Sequence, residues 1–262
     1  MKNKQERLNQ ILLLLQKRHS ISVSELSQLL HVSDMTIRRD LDYLQNNSLV
    51  TRSHGMAYYK ANSSEEDILL SEKNYDLSEE KIRMNPEKER IGRFAVTLLE
   101  PDDNIIIDTG STTDYFARLI PDTIDMTVLC YNYNILAHII NKPNIHIIFP
   151  GGYFHSNGQF FESPQSINLI ENFRANKMFV SASGIHENLG ITCANNYEVN
   201  TKRTALRSSQ IKILLTDSTK FNMIRSSYFA DLKDIDVIVT DTNLSQEWKA
   251  LIKECNITLH LV

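Results

Sequence analysis

Two stretches of this 262-residue chain bring together side chains that could do chemistry. The first, VSDMTIRRDL (residues 32–41), gathers Met35, Thr36, Arg38 and Arg39 behind Ser33. Guanidinium groups and small hydroxyls on one face of a helix are the groups that reach base edges and phosphates in a DNA groove. The second, DTGSTT (108–113), follows the apolar run NIII and leads into DYFARL. An acid, a glycine that lets the chain turn tightly and a run of hydroxyls at a helix start favour a phosphate, because the first-turn amides lack partners and the helix dipole is positive there. Each stretch also has a plainer reading. The arginines fit a solvated helix face with Asp40 and Asp42 as partners, and Ser111, Thr112 and Thr113 fit ordinary helix caps.

More polar residues stand just past apolar runs, in YNYN (131–134), PGGYFHS (150–156), SASGIHENLGITC (181–193) and TDSTKF (216–221). Lys220, with Asp217 beside it, could meet a phosphate, hold an acid or be a surface lysine in a turn. Glu198 and Lys202, at i and i+4, suit a helix salt bridge. His155 and His186 read as polar loop residues rather than catalytic bases. The chain has no Walker A pattern, no G-x-G-x-x-G and no H-E-x-x-H, so nucleotide, dinucleotide and zinc-protease chemistry lose their main support. Cys130, Cys193 and Cys255 are odd in number and widely spaced, which argues against a disulfide framework or a zinc ribbon. No metal or cofactor is expected.

The elements that must position these residues follow from apolar spacing. Leu8, Ile11, Leu12 and Leu15 mark a first helix, and Ser22 or Ser24 caps a second carrying Leu26, Leu29 and Leu30. Ser33 caps a third helix whose Ile37, Leu41 and Leu44 face inward. LVTRSHGMAYYK (49–60) then changes to an extended pattern, a two-stranded wing with Arg52 and His54 near its tip. Residues 1–59 thus form a winged helix-turn-helix. Of the chain's 28 basic and 32 acidic residues, residues 1–60 hold nine and five, leaving nineteen and twenty-seven for the rest. A basic small piece on an acidic large one suits a polyanion-binding module joined to something else.

Residues 60–86 read as a charged tether ending at Pro86. From residue 87 a helix, EKERIGRFAVTLLE, opens a larger domain running to 262. Strands are expected at 104–108, 126–131, 145–149, 177–182, 211–216, 236–240 and 257–262. Helices fit at 112–120, 134–140, 164–172, 198–208 and 246–255. Alternation of this kind implies an α/β fold with a mainly parallel sheet covered on both faces, and ligands bind beyond the carboxyl ends of such strands. No apolar run approaches the ~18 residues of a membrane span, and MKNKQERLNQ lacks the apolar core of a signal peptide, so a cytoplasmic protein without a membrane partner is expected.

The segment RLNQ to HGMA (7–57) resembles the DNA-binding domain of the DeoR family of bacterial transcriptional regulators, and VSDMTIRRDL matches that family's recognition helix. Ser48 stands where the family usually has glycine, and HGM replaces the usual HGG. The motifs DTGSTT, PGG, SASGI, the Glu198-x-x-x-Lys202 pair and DSTKF resemble the family's effector domain, whose fold is similar to ribose 5-phosphate isomerase and which senses phosphorylated sugars. The resemblance implies a repressor of a sugar or deoxyribonucleoside catabolic operon, released from double-stranded operator DNA by a phosphorylated sugar and acting as a homo-oligomer, a dimer or higher. DNA contacts are expected from Ser33, Met35, Thr36, Arg38, Arg39, Arg52 and His54. Effector contacts are expected from Asp108, Gly110, Ser111, Thr112, Thr113, Tyr131, Asn132, Gly151, Gly152, Gly184, Glu198, Lys202, Asp217 and Lys220, with phosphate on 110–113 near Lys220. Sugar hydroxyls would meet Asp108, Asn132, Glu198 and Lys202. Tyr131, Asn132 and Tyr133 replace the Thr-Asn-Ser of most members, and CYNYN resembles the branch whose inducer is deoxyribose 5-phosphate. The rival readings are a sugar-phosphate isomerase with a DNA-binding appendage, using Asp108, Glu198 or Asp217 as base, and an activator of the same family.

Overall fold

A computed structural model describes residues 7, 8, 10, 11, 14, 15, 20–30, 32–46, 50–53, 56–59, 77 and 85–262. The chain divides into two units, Met1–Leu70 and Ser71–Val262.

In the first unit, residues 7, 8, 10, 11, 14 and 15 are helical. Strand β1 (Ser20–Ser22) leads into α1 (Val23–Leu30) and α2 (Asp34–Asn46), followed by β2 (Val50–Ser53) and β3 (Met56–Tyr59). Ser22 is the residue that caps α1, its Oγ accepting from Glu25 N at 3.1 Å. Ser33 caps α2 in the same way, accepting from Thr36 N at 3.3 Å. Leu8, Ile11, Leu15, Leu26, Leu30, Ile37, Leu41 and Leu44 share one core with Ile21 and Val50, as a helical apolar stripe requires. Leu29 departs from that stripe and is exposed. The wing gains a strand that the apolar pattern does not reveal: β3 pairs antiparallel with both β1 and β2. Leu12, His54 and Gly55 lie outside the described residues.

In the second unit α3 (Asn85–Val96) starts two residues earlier than expected and ends before Leu98. Pro86 belongs to this helix rather than to the tether, since a first-turn proline forgoes no hydrogen bond. Seven parallel strands follow in the order β15-β14-β12-β9-β4-β5-β6. They are β4 (Asp103–Ile107), β5 (Met126–Cys130), β6 (Ile145–Ile148), β9 (Ala175–Val180), β12 (Ser209–Leu215), β14 (Val237–Thr240) and β15 (Thr258–Leu261). Each expected strand is present within a few residues of its expected ends. Period-two alternation divides their side chains between two cores. Ile105, Ile107, Val128 and Phe179 pack on one face with α3, α4 (Ser111–Leu119) and α5 (Tyr133–Ile139). Ile106, Leu129, Met178 and Leu214 pack on the other with α6 (Pro164–Asn172), α7 (Val199–Arg207) and α8 (Gln246–Glu254).

Two smaller assemblies were not expected. Tyr153–His155 (β7) and Phe160–Glu162 (β8) form a hairpin, so His155 is a strand residue and not a loop one. Gly184–His186 (β10), Gly190–Cys193 (β11) and Ser227–Ala230 (β13) form an antiparallel sheet. Most of the expected tether lies outside the described residues, but Leu77 within it is buried and its N–H donates to Asn157 O at 2.9 Å. The three cysteines are free, and burial pushes the Cys130 and Cys193 thiols up to about 12. Among the described residues no helix is long and apolar enough to cross a membrane.

Candidate functional site

Chain order in the large sheet reverses at β4. From there β5 and β6 are added on one side, while β9, β12, β14 and β15 are added on the other. Connections that leave adjacent strands on opposite sides open a crevice beyond their carboxyl ends, the usual ligand position in such sheets. The residues that follow β4 and β9 meet there. A small open cleft is lined by Gly110, Ser111 and Thr112 at the start of α4, by Ser181, Ala182 and Ser183 after β9, and by Lys220 and Arg225 after β12. None of these residues is an acid.

The cleft's geometry is fixed from below. Gly110 occupies the N-cap position of α4 without a side-chain cap, and a Cβ there would collide with the Ser181 side chain. Ser181 Oγ donates to Thr109 O, which draws the two strand ends together. First-turn amides of α4 are thereby presented beside two cations, an arrangement suited to an anion. Thr113, expected among the phosphate ligands, does not line the cleft; its hydroxyl turns back to Asp108 O at 2.8 Å. Asp217 also serves the scaffold. It accepts from Thr219 N at 3.1 Å and from the Thr219 hydroxyl, while Asp241 accepts from Ser218 N at 2.7 Å. Together these bonds shape the turn Ser218–Lys220 and set Lys220 at the cleft.

Beneath the cleft lies a charged cluster with almost no exposure. Asp108 accepts from Tyr131 OH at 2.7 Å, from Ser181 N at 3.0 Å and from Lys202 Nζ. Lys202 Nζ also stands 3.7 Å from Glu198 Oε2, and Asn195 Nδ2 donates to Glu198 Oε1 at 2.7 Å. Burial works to lower the Lys202 pKa, but the carboxylates of Asp108 and Glu198 outweigh it and the ammonium is held above its ordinary range. Burial raises Glu198, against the pull of Lys202. Burial and the Asp108 charge together put the Tyr131 phenol well above its usual value. The expected helix pair Glu198–Lys202 therefore exists, but its strongest partner is Asp108, across the sheet.

The residues expected to meet the sugar lie below the cleft lining. Asp108, Tyr131, Asn132, Glu198 and Lys202 are buried in the scaffold rather than lining the cleft. Asn132 Nδ2 donates to Asn134 Oδ1 at 2.6 Å, and its own Oδ1 is buried without a partner. Gly151 and Gly152 take positive φ angles of 65° and 128° in the turn between β6 and β7, again away from the cleft. Gly184 is a packing position, because a Cβ there would fall 2.6 Å from Met223 O. His155 stacks on Tyr197 with ring centroids 3.7 Å apart and contacts Glu162 at 2.9 Å. Arg225 was not anticipated. It lies in a polar loop, and its place at the cleft depends on pairing between β11 and β13 that no short-range pattern reveals.

On the first unit, Met35, Arg38 and Arg39 are exposed on α2 while Ile37, Leu41 and Leu44 are buried. The plainer reading of the arginines fails at Asp40, which is buried and paired with Arg7 Nε at 2.5 Å. Among the described residues neither Arg38 nor Arg39 forms an ion pair. Thr36 Oγ1 and Ser33 Oγ lie 3.0 Å apart, so both hydroxyls take part in the cap. Arg52 sits on β2 in register with Ala57, whereas His54 falls outside the described residues.

Comparisons with known proteins match both units. The family described as DeoR-like helix-turn-helix domain matches residues 7–63, and the DeoR C terminal sensor domain matches residues 83–242. The chain is 32% identical over 238 residues to the deoxyribose operon repressor of Escherichia coli strain K12, spanning 91% of this chain and 90% of that protein. It is 32% identical over 250 residues to the HTH-type transcriptional regulator GolR of Listeria innocua, spanning 95% and 94%. It is 31% identical over 243 residues to the lactose phosphotransferase system repressor of Staphylococcus epidermidis, spanning 92% and 93%. Among solved structures, ribose 5-phosphate isomerase A from Methanocaldococcus jannaschii is similar over 51% of this chain and 53% of that one, at a TM-score of 0.38 and 13% identity, too loosely to bear on activity. With both domains matched and relatives above 30% identity along most of its length, the chain belongs to the DeoR family of DNA-binding transcriptional regulators.

Proposed function

We propose that this protein is a repressor whose operator affinity falls when a phosphorylated sugar occupies the cleft at the β4/β9 switch point. The observation that carries the reading is the acid-free cleft itself, where a helix amino end, hydroxyls and Lys220 converge in a chain that also presents Arg38 and Arg39. The phosphate sits on Gly110, Ser111 and Thr112 with Lys220. Met35, Thr36, Arg38 and Arg39 enter the major groove, with Arg52 and His54 on the wing. Residues 1–59 read DNA, and the second unit, Ser71–Val262, senses the effector. Paired half-sites, and hence a homo-oligomer, supply the affinity that one small module lacks.

Deoxyribose 5-phosphate is the proposed effector. It is supported by the Tyr131–Tyr133 segment and by the likeness to the deoxyribose operon repressor. Isomerase chemistry is disfavoured, since Asp108, Glu198 and Asp217 are each buried and already hydrogen-bonded.

The test is operator binding by fluorescence anisotropy, using fragments of the promoter region of the protein's own gene. Deoxyribose 5-phosphate should weaken binding by roughly 5- to 150-fold, the usual range of allosteric coupling, and free deoxyribose should not. Arg38→Ala and Arg39→Ala should each weaken binding and flatten its salt dependence by about one unit of slope for each phosphate left unneutralised. Indifference of DNA binding to every sugar phosphate tested would overturn the effector reading, and indifference to both arginine changes would overturn the DNA face.

A further inference from the structure

The large sheet ends at β6 in a stretch whose composition sets it apart from the rest of its unit. Residues 61–262 hold nineteen basic against twenty-seven acidic residues, yet between Met126 and Phe161 the one Asp, Glu, Lys or Arg is Lys142. Charges bordering the stretch are engaged locally. Lys142 Nζ donates to Ile120 O at 2.8 Å and to Asp122 Oδ1 at 2.7 Å, Asp125 stands 3.9 Å from His146 Nε2, and Glu162 is hydrogen-bonded to His155 at 2.9 Å. Among the described residues β6 pairs with β5 alone. An open strand edge invites another strand and is usually blunted by charge, lysine above all. The IHII of β6 carries neither acid nor lysine. At the opposite edge, α8 beside β15 exposes Glu247, Lys253 and Glu254.

Apolar surface continues past the end of β6. Phe149 meets Phe161 edge-on with ring centroids 5.2 Å apart, and Phe161 meets Phe154, its cross-strand partner in the β7–β8 hairpin, at 4.8 Å. Phe160, on the hairpin's other face, belongs to the core. A hairpin with one face on the core ordinarily turns polar side chains to water. Here the outer face is aromatic, and Phe154 is 44% exposed. Tyr133 N donates to Gln159 O at 2.8 Å, which sets the start of α5 beside the hairpin, and the Tyr133 residue is 56% exposed.

Resting on the homo-oligomer reading proposed above, we infer that the β6 edge and the phenylalanine face of the β7–β8 hairpin form a two-fold interface with the same surface of a second copy. Two acidic units repel wherever net charge faces its like. This uncharged surface is where they meet without stripping water from an ion. A strand edge is self-complementary about a two-fold axis, because two antiparallel β6 strands exchange N–H and C=O groups with each other. Phe154 and Tyr133 then supply the aromatic centre that dominates the energy of most interfaces.

The experiment is sedimentation velocity of the full-length protein over a range of concentrations, comparing Phe154→Glu, Phe154→Lys and Tyr133→Glu with the parent. Leu189→Lys, at an exposed apolar residue in the turn between β10 and β11, is the control. Each of the first three changes should weaken one step of self-association by at least ~30-fold, the loss expected at a central interface residue, and Leu189→Lys should leave it unchanged. Tyr133→Glu places an acid where a helix start accepts one, so it keeps the test open if a change at Phe154 disturbs the hairpin, and far-ultraviolet circular dichroism checks the fold of each variant. An equimolar mixture of Phe154→Glu and Phe154→Lys should assemble better than either alone, since the two-fold brings opposite charges together. Dissociation of both without recovery on mixing would overturn the two-fold arrangement. If Phe154→Lys and Tyr133→Glu assemble like the parent, this inference is overturned and the homo-oligomer reading stands. Loss of assembly in Leu189→Lys alone would move the interface to the small antiparallel sheet and overturn the inference as well. If the unmodified protein is a monomer at every concentration, both this inference and the homo-oligomer reading fall.

Discussion

Replacing Lys202 with methionine removes one charge from the cluster under the cleft and leaves Asp108 fully buried with only neutral donors, Tyr131 OH and the Ser181 N–H and hydroxyl. Glu198 then faces that carboxylate without an intervening ammonium. Breaking a buried ion pair from one side costs about 3–5 kcal/mol, because the remaining charge keeps its desolvation penalty and loses its partner. For a unit of this size each kcal/mol lowers Tm by about 2–4 °C, so a fall of roughly 6–20 °C is expected in the sensor unit's transition. Scanning calorimetry would measure it, with urea unfolding as a second route. The double variant Asp108→Asn with Lys202→Met removes both charges while keeping the shape of the carboxylate. It should be less destabilised than the two single changes together, by about 1–3 kcal/mol. A Lys202→Met variant within about 1 kcal/mol of the parent, or strict additivity in the cycle, would refute the argument that these groups depend on one another.

The same cluster fixes a pH dependence. Lys202 has a raised pKa in the folded protein, so its contribution is complete below the unfolded value of 10.5 and is lost as pH rises through the folded one. The stability gap between parent and Lys202→Met should therefore hold at neutral pH and narrow only in strong alkali, as read from urea midpoints. Gly110→Ala should drive a methyl into the Ser181 side chain. Its expected signature is loss of the stabilisation by saturating deoxyribose 5-phosphate, about 2.7 kcal/mol at a hundred times Kd in the parent. Arg7→Ala should leave the buried Asp40 unpaired and destabilise the DNA-binding unit by roughly 3 kcal/mol. Circular dichroism melting would follow it, and an unchanged melting curve would remove the structural role assigned to this pair.

How much was legible in the sequence depended on the range of the interactions. The seven sheet strands could be read because buried parallel strands are apolar runs, and α2 because its apolar period and its Ser33 cap are local. The strands β1, β7, β10, β11 and β13 are three or four residues long, too short to carry a period, and their pairing is decided by tertiary contacts. Glu198 and Lys202 showed their pairing through i, i+4 spacing. The 94-residue separation between Lys202 and Asp108 hid the stronger contact and the burial that takes both away from the cleft. The loop after β4 showed its chemistry because its hydroxyls and glycine are contiguous. Arg225 joins it only through the fold.

Leu77 also sets where this protein can be cut and rejoined. Its side chain is buried, and its amide is tied to Asn157, whose neighbour Gly158 accepts from Thr109 Oγ1 at 3.3 Å, one residue before the cleft loop. A chimera that gives this sensor a different DNA-reading module therefore has to be spliced upstream of residue 77. A junction at Pro86, where the sequence reads as the end of a tether, would remove the buried Leu77 side chain and its bond to Asn157, beside the residue that Thr109 holds, and is expected to yield a biosensor with a weakened pocket.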